Sequence, residues 1–295
     1  MTTLFGVIPP ATTAFDARGD IDFPAVGAQI RWLREQGANG VAVGGSTGEG
    51  HTLEGPEYRE LIEAAIEGAG DMPVIAGIIT DSTRQSVARG AALAGLPVAA
   101  LQVTPVHYLF RPDDDAMVEH FRTLAGETGR PIIIYNVVPW TYLSPALLLR
   151  IMREVPEVIG VKQSAGDLKL FADLMADLIP GKLVFSAVDA LMYPSYALGA
   201  HGSIAAILAA APGPSVELWN AVQAGNHDRA RELHVGLLRL WNALLPHDNL
   251  PAATKHAQAL QGCASGLPRR PMSPASPAQC EAIERALRGL GIVLA

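Results

Sequence analysis

Cysteine, lysine and long apolar runs are all scarce in this chain of 295 residues. The two cysteines, Cys263 and Cys280, form no CxxC pattern and are too few for a disulfide framework, so we expect a reducing, cytoplasmic setting. No apolar run reaches the ~18 residues that a membrane span needs, and the first residues lack the basic and apolar regions of a signal peptide. We therefore expect no membrane partner.

Basic blocks and metal-binding motifs are also missing. The net charge is -7, with acids and bases interleaved, whereas a nucleic-acid partner normally requires a concentrated basic surface. The eight histidines show neither HxH nor HExxH spacing, so we expect no metal site. Hydrophobic residues make up 49% of the chain, which is enough to bury a substantial core.

Eight short apolar runs rich in Val and Ile alternate with segments of helical periodicity. Continuous apolar runs are typical of parallel strands that are covered on both faces. The predicted strands are 4–11, 39–45, 73–79, 98–104, 131–137, 158–164, 182–188 and 202–207.

The alternation predicts an α/β fold, a (β/α)8 TIM barrel with a C-terminal helical extension. The stretches Asp81-Ser82-Thr83, Asp113-Asp114-Asp115 and Ser144-Pro145 contain a cap-type residue or a proline suited to a first helical turn, and each precedes a predicted helix. A doubly wound open sheet is the main rival, but it usually has fewer strands, and no GxGxxG follows the first strand.

We expect two regions, a barrel over residues 1–211 that contains the active site and a helical region over 212–295 packed on it. The predicted C-terminal helices are 215–224, 227–245, 250–261 and 276–289.

Lys162 stands out because it follows the apolar run 158–161, near the carboxyl end of the sixth predicted strand. In a barrel this end contains the chemistry. A buried lysine loses its charge more easily, and its neutral amine attacks carbonyl carbons, which an arginine cannot do. The alternative is that Lys162 only ends a strand and extends to solvent.

Two other strand ends favour the chemical interpretation. GGSTGEG at 44–50 places Ser46 and Thr47 among glycines, with Gly48 beside them. Glycines let the backbone approach a ligand closely, and two adjacent hydroxyls with free amides can bind a carboxylate. An ordinary turn before a helix is the alternative. Tyr135 ends the fifth strand, where it is either a core ring or a hydroxyl that points into the same barrel mouth as Lys162.

With these motifs the chain resembles the dihydrodipicolinate synthase and N-acetylneuraminate lyase family of class I aldolases. The resemblance rests on GGSTGEG at 44–50, YNVVP at 135–139 and IGVKQSAGD at 159–167, with support from residues 103–105 and 185–205. It extends over nearly the whole chain.

The resemblance implies that Lys162 forms a Schiff base with pyruvate or a related 2-oxo acid, and that Tyr135 donates and accepts protons. Ser46 and Thr47 match the pair that binds the substrate carboxylate, one of them linked to Tyr135, and Ile204 matches a residue of the pyruvate pocket. It also implies that no organic cofactor is needed and that the protein is a homodimer or homotetramer.

Two positions depart from the family pattern. Trp140 stands where the synthase has an arginine that binds the second carboxylate of its aldehyde substrate, and Arg111 is a candidate substitute. In VTPVHYLFRP, residues 103–112, either His107 or Tyr108 occupies the place of a tyrosine that reaches across a dimer interface to complete the proton relay. We favour Tyr108 because its chemistry matches.

These features predict a lyase that acts on a 2-oxo acid together with an aldehyde or a keto-deoxy acid. It would make or break a C–C bond, or dehydrate a 2-keto-3-deoxy acid. The alternatives are 4-hydroxy-tetrahydrodipicolinate synthase, a non-catalytic protein that binds a 2-oxo acid, and a phosphate-binding barrel enzyme that uses residues 199–203. Trp140 indicates an aldehyde without a second carboxylate.

Overall fold

The computed structural model describes residues 4–106 and 108–295. Within them, eight parallel strands alternate with helices, which confirms the predicted barrel. The strands are Gly6–Val7 (β1), Val41–Val43 (β2), Val74–Ile78 (β3), Ala100–Val103 (β4), Ile132–Asn136 (β5), Val158–Gln163 (β6), Leu183–Ser186 (β7) and Gly202–Ser203 (β8). All eight lie inside the predicted runs.

The strands pair in the order β1-β8-β7-β6-β5-β4-β3-β2. Residues just after β1 close the ring onto β2, because the amide of Ala42 donates to the carbonyl of Pro9 and the amide of Ala11 donates to the carbonyl of Ala42, at 3.0 and 2.8 Å. A closed ring leaves no free sheet edge.

The barrel helices follow the strands in the expected alternation. They are Phe23–Glu35 (α1), Gly55–Ala69 (α2), Thr83–Ala91 (α3), Asp114–Thr128 (α4), Pro145–Glu154 (α5), Leu168–Ala176 (α6), Met192–Ala197 (α7) and Ala206–Ala210 (α8). The side chains of Ser82, Asp113 and Ser144 accept hydrogen bonds from the first turns of α3, α4 and α5, which confirms the predicted helix starts.

Four further helices come after the barrel: Pro212–Gln223 (α9), His227–Leu244 (α10), Leu250–Ala259 (α11) and Pro277–Gly289 (α12). Their bounds agree with the predicted segments to within a few residues. Helix α10 packs against α7, and both α10 and α11 pack against α8, so the C-terminal region lies against the last part of the barrel. The division at residue 211 into two regions stays a prediction.

The core has two layers, as expected for strands with two buried faces. The inner layer, inside the barrel, includes Ile75, Ile133 and Phe185. The outer layer, between strands and helices, includes Val74, Ile134 and Val161. In the part of the chain that the structure describes, no helix is long and apolar enough to cross a membrane.

Candidate active site

The orientation of Lys162 depends on an irregularity in β6. Ile132 pairs with Val158, but Ile133 pairs with Gly160, so one residue of β6 is extra at this point. Such a bulge reverses the alternation of side chains beyond it. Val161 therefore packs in the outer layer, and Lys162, which pairs with Tyr135 on one side and Phe185 on the other, faces the barrel interior.

The amine of Lys162 is buried beside a tyrosine ring. The residue is 4% exposed, and its Nζ lies 3.6 Å from the centre of the Tyr135 ring. Burial lowers the pKa of Lys162 to about 7, and the charge of Asp189 opposes this shift. A large fraction of the amine is therefore neutral near pH 7, which is the form that attacks a carbonyl carbon.

Tyr135 connects the lysine with the glycine-rich loop, residues 44–50. Its hydroxyl donates to Oγ of Ser46 at 3.3 Å. Burial raises the pKa of Tyr135 to about 12, while the hydrogen bond with Ser46 lowers it. The phenol is therefore protonated at neutral pH, and its hydrogen bond gives it a route for proton exchange with Ser46.

The glycine-rich loop is packed backbone against backbone. A Cβ at Gly48 would lie 2.8 Å from the carbonyl oxygen of Ala11, and one at Gly50 would overlap the carbonyl of Gly44. Larger residues at these two positions would force the loop apart. This packing places Ser46 and Thr47 at the carboxyl end of β2.

A cavity of about 400 Å³ brings most of the predicted site residues together. Ser46, Thr47, Tyr135, Lys162 and Ile204 all line it. The other lining residues are Val137, Tyr142, Ser164, Ala187, Val188, Asp189, Ala205, Ala206, Trp241, Asp248, Leu250 and Pro251.

The C-terminal helices form one wall of this cavity. Trp241 lies on α10, Asp248 in the turn after it, and Leu250 and Pro251 at the start of α11. These helices were predicted from the sequence, but none of their residues was predicted to lie in the site. No local motif marks them, since their role depends on how the helices pack on the barrel.

Asp189 is a further site residue that no motif in the sequence indicated. It is buried just beyond β7, and its Oδ1 accepts a hydrogen bond from the backbone amide of Ile207 at 2.7 Å. Burial raises the pKa of its carboxyl to about 6, against the effect of that hydrogen bond and of the nearby Lys162. Its position at the end of a barrel strand was the available signal.

Several predicted residues lie elsewhere. Tyr108 and Trp140 are each 66% exposed and do not line the cavity; the indole of Trp140 donates to the backbone carbonyl of Tyr108 at 3.0 Å. Gly48 contributes to the packing of the loop but does not line the cavity either, and its carbonyl accepts from the hydroxyl of Thr13 at 2.6 Å. His107 lies outside the described residues.

The candidate substitute arginine is also remote from the cavity. Arg111 pairs with Asp114 at 3.3 Å, near the start of α4. Among the described residues that line the cavity, none is an arginine. Neither Arg111, in the loop between β4 and α4, nor Trp140, in the turn after β5, lines the cavity.

A larger cavity of about 910 Å³ opens at the opposite, amino-terminal end of the strands, against residues such as Val74, Val98 and Leu183. It contains none of the predicted site residues, and barrel enzymes work at the carboxyl ends of their strands. Size alone would select the wrong end, so we place the active site in the smaller cavity with Lys162.

The model of the dihydrodipicolinate synthetase family matches residues 3–290. The chain belongs to this family. A 4-hydroxy-tetrahydrodipicolinate synthase of Methanopyrus kandleri is 34% identical over 98% of this chain and 97% of the relative. Another from Azoarcus sp. is 34% identical over 97% of this chain and 98% of the relative. The resemblance seen in the sequence is thus confirmed.

Solved structures of this family have the same fold. Dihydrodipicolinate synthase from Aquifex aeolicus superposes with a TM-score of 0.91 at 29% identity, covering 99% of both chains. The enzyme from Thermotoga maritima gives a TM-score of 0.93 at 26% identity, covering 99% of this chain and all of the relative. Both confirm the barrel with its C-terminal helices.

Proposed function

We propose that this member of the dihydrodipicolinate synthetase family is a Schiff-base lyase that acts on a 2-oxo acid through Lys162. The observation that supports it most is one cavity in which a buried amine with a lowered pKa lies beside the Tyr135 phenol and the Ser46–Thr47 turn. These groups match the three needs of the reaction: a nucleophile, a proton carrier and a carboxylate site.

The reaction begins when the neutral amine of Lys162 attacks the keto carbon of the 2-oxo acid. The keto oxygen takes up protons and leaves as water, and the resulting C=N bond is the protonated imine. This cation accepts the electron pair of a bond broken at the neighbouring carbon, so a proton or an aldehyde can leave from there. Addition of an aldehyde is the same step in reverse.

Tyr135 and the glycine-rich loop position the reacting groups. Backbone amides and hydroxyls of Ser46 and Thr47 would bind the substrate carboxylate, which fixes the keto carbon near Lys162. The hydroxyl of Tyr135 would move protons to and from the leaving oxygen and the reacting carbon, in exchange with Ser46. This scheme needs neither a metal nor an organic cofactor.

The cavity favours an aldehyde or keto-deoxy acid without a second carboxylate, because none of the described lining residues is an arginine. The curated relatives named 4-hydroxy-tetrahydrodipicolinate synthase support the alternative, lysine-biosynthetic activity. Turnover with a panel of aldehydes and 2-keto-3-deoxy acids, and complementation of a lysine-requiring strain, separate the two. Complementation would favour the synthase.

Incubation with pyruvate and borohydride, followed by peptide mass spectrometry, tests the proposal itself. We expect a reduced pyruvate adduct on Lys162 and on no other lysine. Pyruvate binding without an adduct would instead support a protein that binds a 2-oxo acid without chemistry.

The pKa of Lys162 predicts how the rate depends on pH. The amine is charged below about pH 7 and neutral above it, so the rate should rise about tenfold per pH unit at low pH and level off above about pH 8. Exchange of the methyl hydrogens of pyruvate with solvent deuterium, followed by NMR, measures this rate.

Asp189→Asn is the matched variant for the same profile. Removing the carboxylate charge that opposes the shift should lower the pKa of Lys162 further, so the inflection should move to lower pH. An inflection that stays in place, or moves to higher pH, would contradict the proposed coupling.

We further propose that the protein is a homo-oligomer. Tyr108, Leu109, Phe110 and Trp140 form an exposed apolar patch, with exposures of 66, 70, 82 and 66%. A second copy of the chain would bury this surface and bring Tyr108 to the interface that the resemblance implies. A related solved protein, 26% identical, is a monomeric dihydrodipicolinate synthase variant, so association varies among relatives.

Sedimentation velocity at several concentrations tests this association. We expect the wild type to sediment as a dimer or larger oligomer. Phe110→Asp should sediment as a smaller species, because it places a charge in the patch that association would bury. Val293, 89% exposed near the C-terminus, offers a control position for the same substitution. A monomeric wild type would refute the proposal.

A further inference from the structure

A buried ion pair joins the glycine-rich loop to helix α11. Glu49 and Lys255 are 1% and 2% exposed, and Nζ of Lys255 lies 2.6 Å from Oε1 of Glu49. The two residues are 206 positions apart in the chain. The pair therefore connects the barrel to the C-terminal helical region close to the active site.

Each member of the pair makes a second charge-assisted hydrogen bond. Lys255 also donates to the carbonyl of Leu267 at 2.6 Å, and the other carboxylate oxygen of Glu49 accepts from the backbone amide of Arg269 at 2.8 Å. A carboxylate accepts on both oxygens, whereas an amide side chain accepts on one arm only. The arrangement therefore requires a carboxylate at this position.

The backbone of Glu49 closes the turn that contains Ser46 and Thr47. Its amide donates to the carbonyl of Ser46 at 3.0 Å. Its φ of 54° lies in the left-handed region, which is uncommon for a residue with a side chain. The buried contacts of its carboxylate fix this residue, and with it the end of the turn.

Helix α11 contributes to the cavity in two ways. Leu250 and Pro251 at its start line the cavity, and Lys255 one turn further along contacts Glu49. One rigid helix thus sets the cavity wall and the position of the Ser46–Thr47 turn. A small displacement of that turn would weaken hydrogen bonds to a bound carboxylate more than contacts made elsewhere in the cavity.

We propose that Glu49 and Lys255 are positioning residues for the substrate carboxylate, which they serve by fixing the Ser46–Thr47 turn from helix α11. The inference rests on the proposed function, in which that turn binds the carboxylate of a 2-oxo acid. Neither residue lines the cavity, so both act through the turn.

The test compares a ketone that has a carboxylate with one that lacks it. Pyruvate and hydroxyacetone are each trapped on Lys162 with borohydride, and the half-saturating concentration of each is measured. In Lys255→Met we expect the half-saturating concentration of pyruvate to rise about tenfold or more. The half-saturating concentration of hydroxyacetone should change less than about twofold. Trapping at saturating pyruvate should still label Lys162.

Two further variants make the result decisive. Glu49→Gln leaves the size of the side chain unchanged but loses one acceptor and the charge, so it should also raise the half-saturating concentration of pyruvate. It replaces Lys255→Met as the test if that variant does not fold. In the double variant Glu49→Gln with Lys255→Met no buried charge is left unpaired, so the two effects should be less than additive.

Lys182→Met is the matched control. The amine of Lys182 makes two hydrogen bonds, as that of Lys255 does, but both go to backbone carbonyls, those of Pro156 and Val158 at 2.9 and 2.7 Å, at the amino end of β7. The half-saturating concentration of pyruvate in Lys182→Met should stay at the wild-type level. Unchanged pyruvate values in the Lys255 and Glu49 variants, or a loss shared with Lys182→Met, would overturn the inference. Absence of any wild-type adduct would instead refute the proposed function.

Discussion

Lys162→Met should abolish both the pyruvate adduct and the exchange of pyruvate methyl hydrogens. Methionine has a similar length and fits an apolar environment, but it has no amine, so no imine can form. The exchange rate should fall by at least about 10⁴-fold, to the background of the buffer. Mass spectrometry after borohydride treatment and NMR in deuterium oxide measure the two effects.

Lys169→Met is the control for this variant. Lys169 is an exposed lysine of α6 that pairs with Asp173 at 2.6 Å, outside the cavity. The Lys169→Met variant should be labelled by pyruvate on Lys162, and it should exchange the methyl hydrogens of pyruvate at the wild-type rate. An adduct that forms at another lysine in Lys162→Met, with exchange retained, would show that the nucleophile had been misassigned.

Lys162→Met should also stabilise the fold. The pKa of Lys162 is about 7 in the folded protein, against an ordinary value of 10.5, so the unfolded chain binds a proton more tightly. The wild type therefore loses stability as the pH falls from about 10.5 to 7. Methionine removes this penalty, which at about 1.4 kcal/mol for each pH unit amounts to a few kcal/mol.

Thermal melting of the wild type and of Lys162→Met at two pH values measures this gain in stability. At about pH 6.5 the Tm of Lys162→Met should exceed that of the wild type by on the order of 5 °C. The difference should shrink towards about pH 9.5, where the amine is largely neutral in the folded wild type. A difference independent of pH would mean that improved packing, and not the buried charge, stabilises the variant.

Tyr135→Phe should separate imine formation from proton transfer. The ring that lies over Nζ of Lys162 remains, but the hydroxyl that donates to Ser46 is lost. Removal of a proton-transfer group commonly costs 10²–10⁴-fold, so we expect methyl-hydrogen exchange to fall about a thousandfold. Prolonged trapping with saturating pyruvate should still label Lys162.

Tyr196→Phe provides the comparison for this variant. Tyr196 is another buried tyrosine whose hydroxyl contacts a serine, Ser203, but it does not line the cavity. Its exchange rate should stay within about threefold of the wild type. If Tyr135→Phe were equally active, the proton would have to move through another group, and the proposed role of Tyr135 would be wrong.

Much of the fold could be predicted from the sequence because it is encoded locally. The eight apolar runs predicted the strands, since parallel strands with two buried faces need continuous apolar sequence. The stretches 81–83, 113–115 and 144–145 predicted helix starts, and in each a side chain bonds to an amide only three residues away, from Ser82, Asp113 and Ser144. Lys162, Tyr135, Ser46 and Thr47 could be chosen because each lies at the end of a predicted strand.

Only the tertiary structure decided which of these residues meet. The bulge in β6 turns Lys162 into the barrel, and a single extra residue in a strand is not visible in an apolar run. Asp189 was missed, and Trp140 is placed on the surface beside Tyr108, because the direction of a side chain on a loop depends on packing. The contact of Glu49 with Lys255 spans 206 positions, and no local pattern specifies a pairing of that range. The sequence determined the strands, the helices and the chemical groups, while long-range packing determined their geometry.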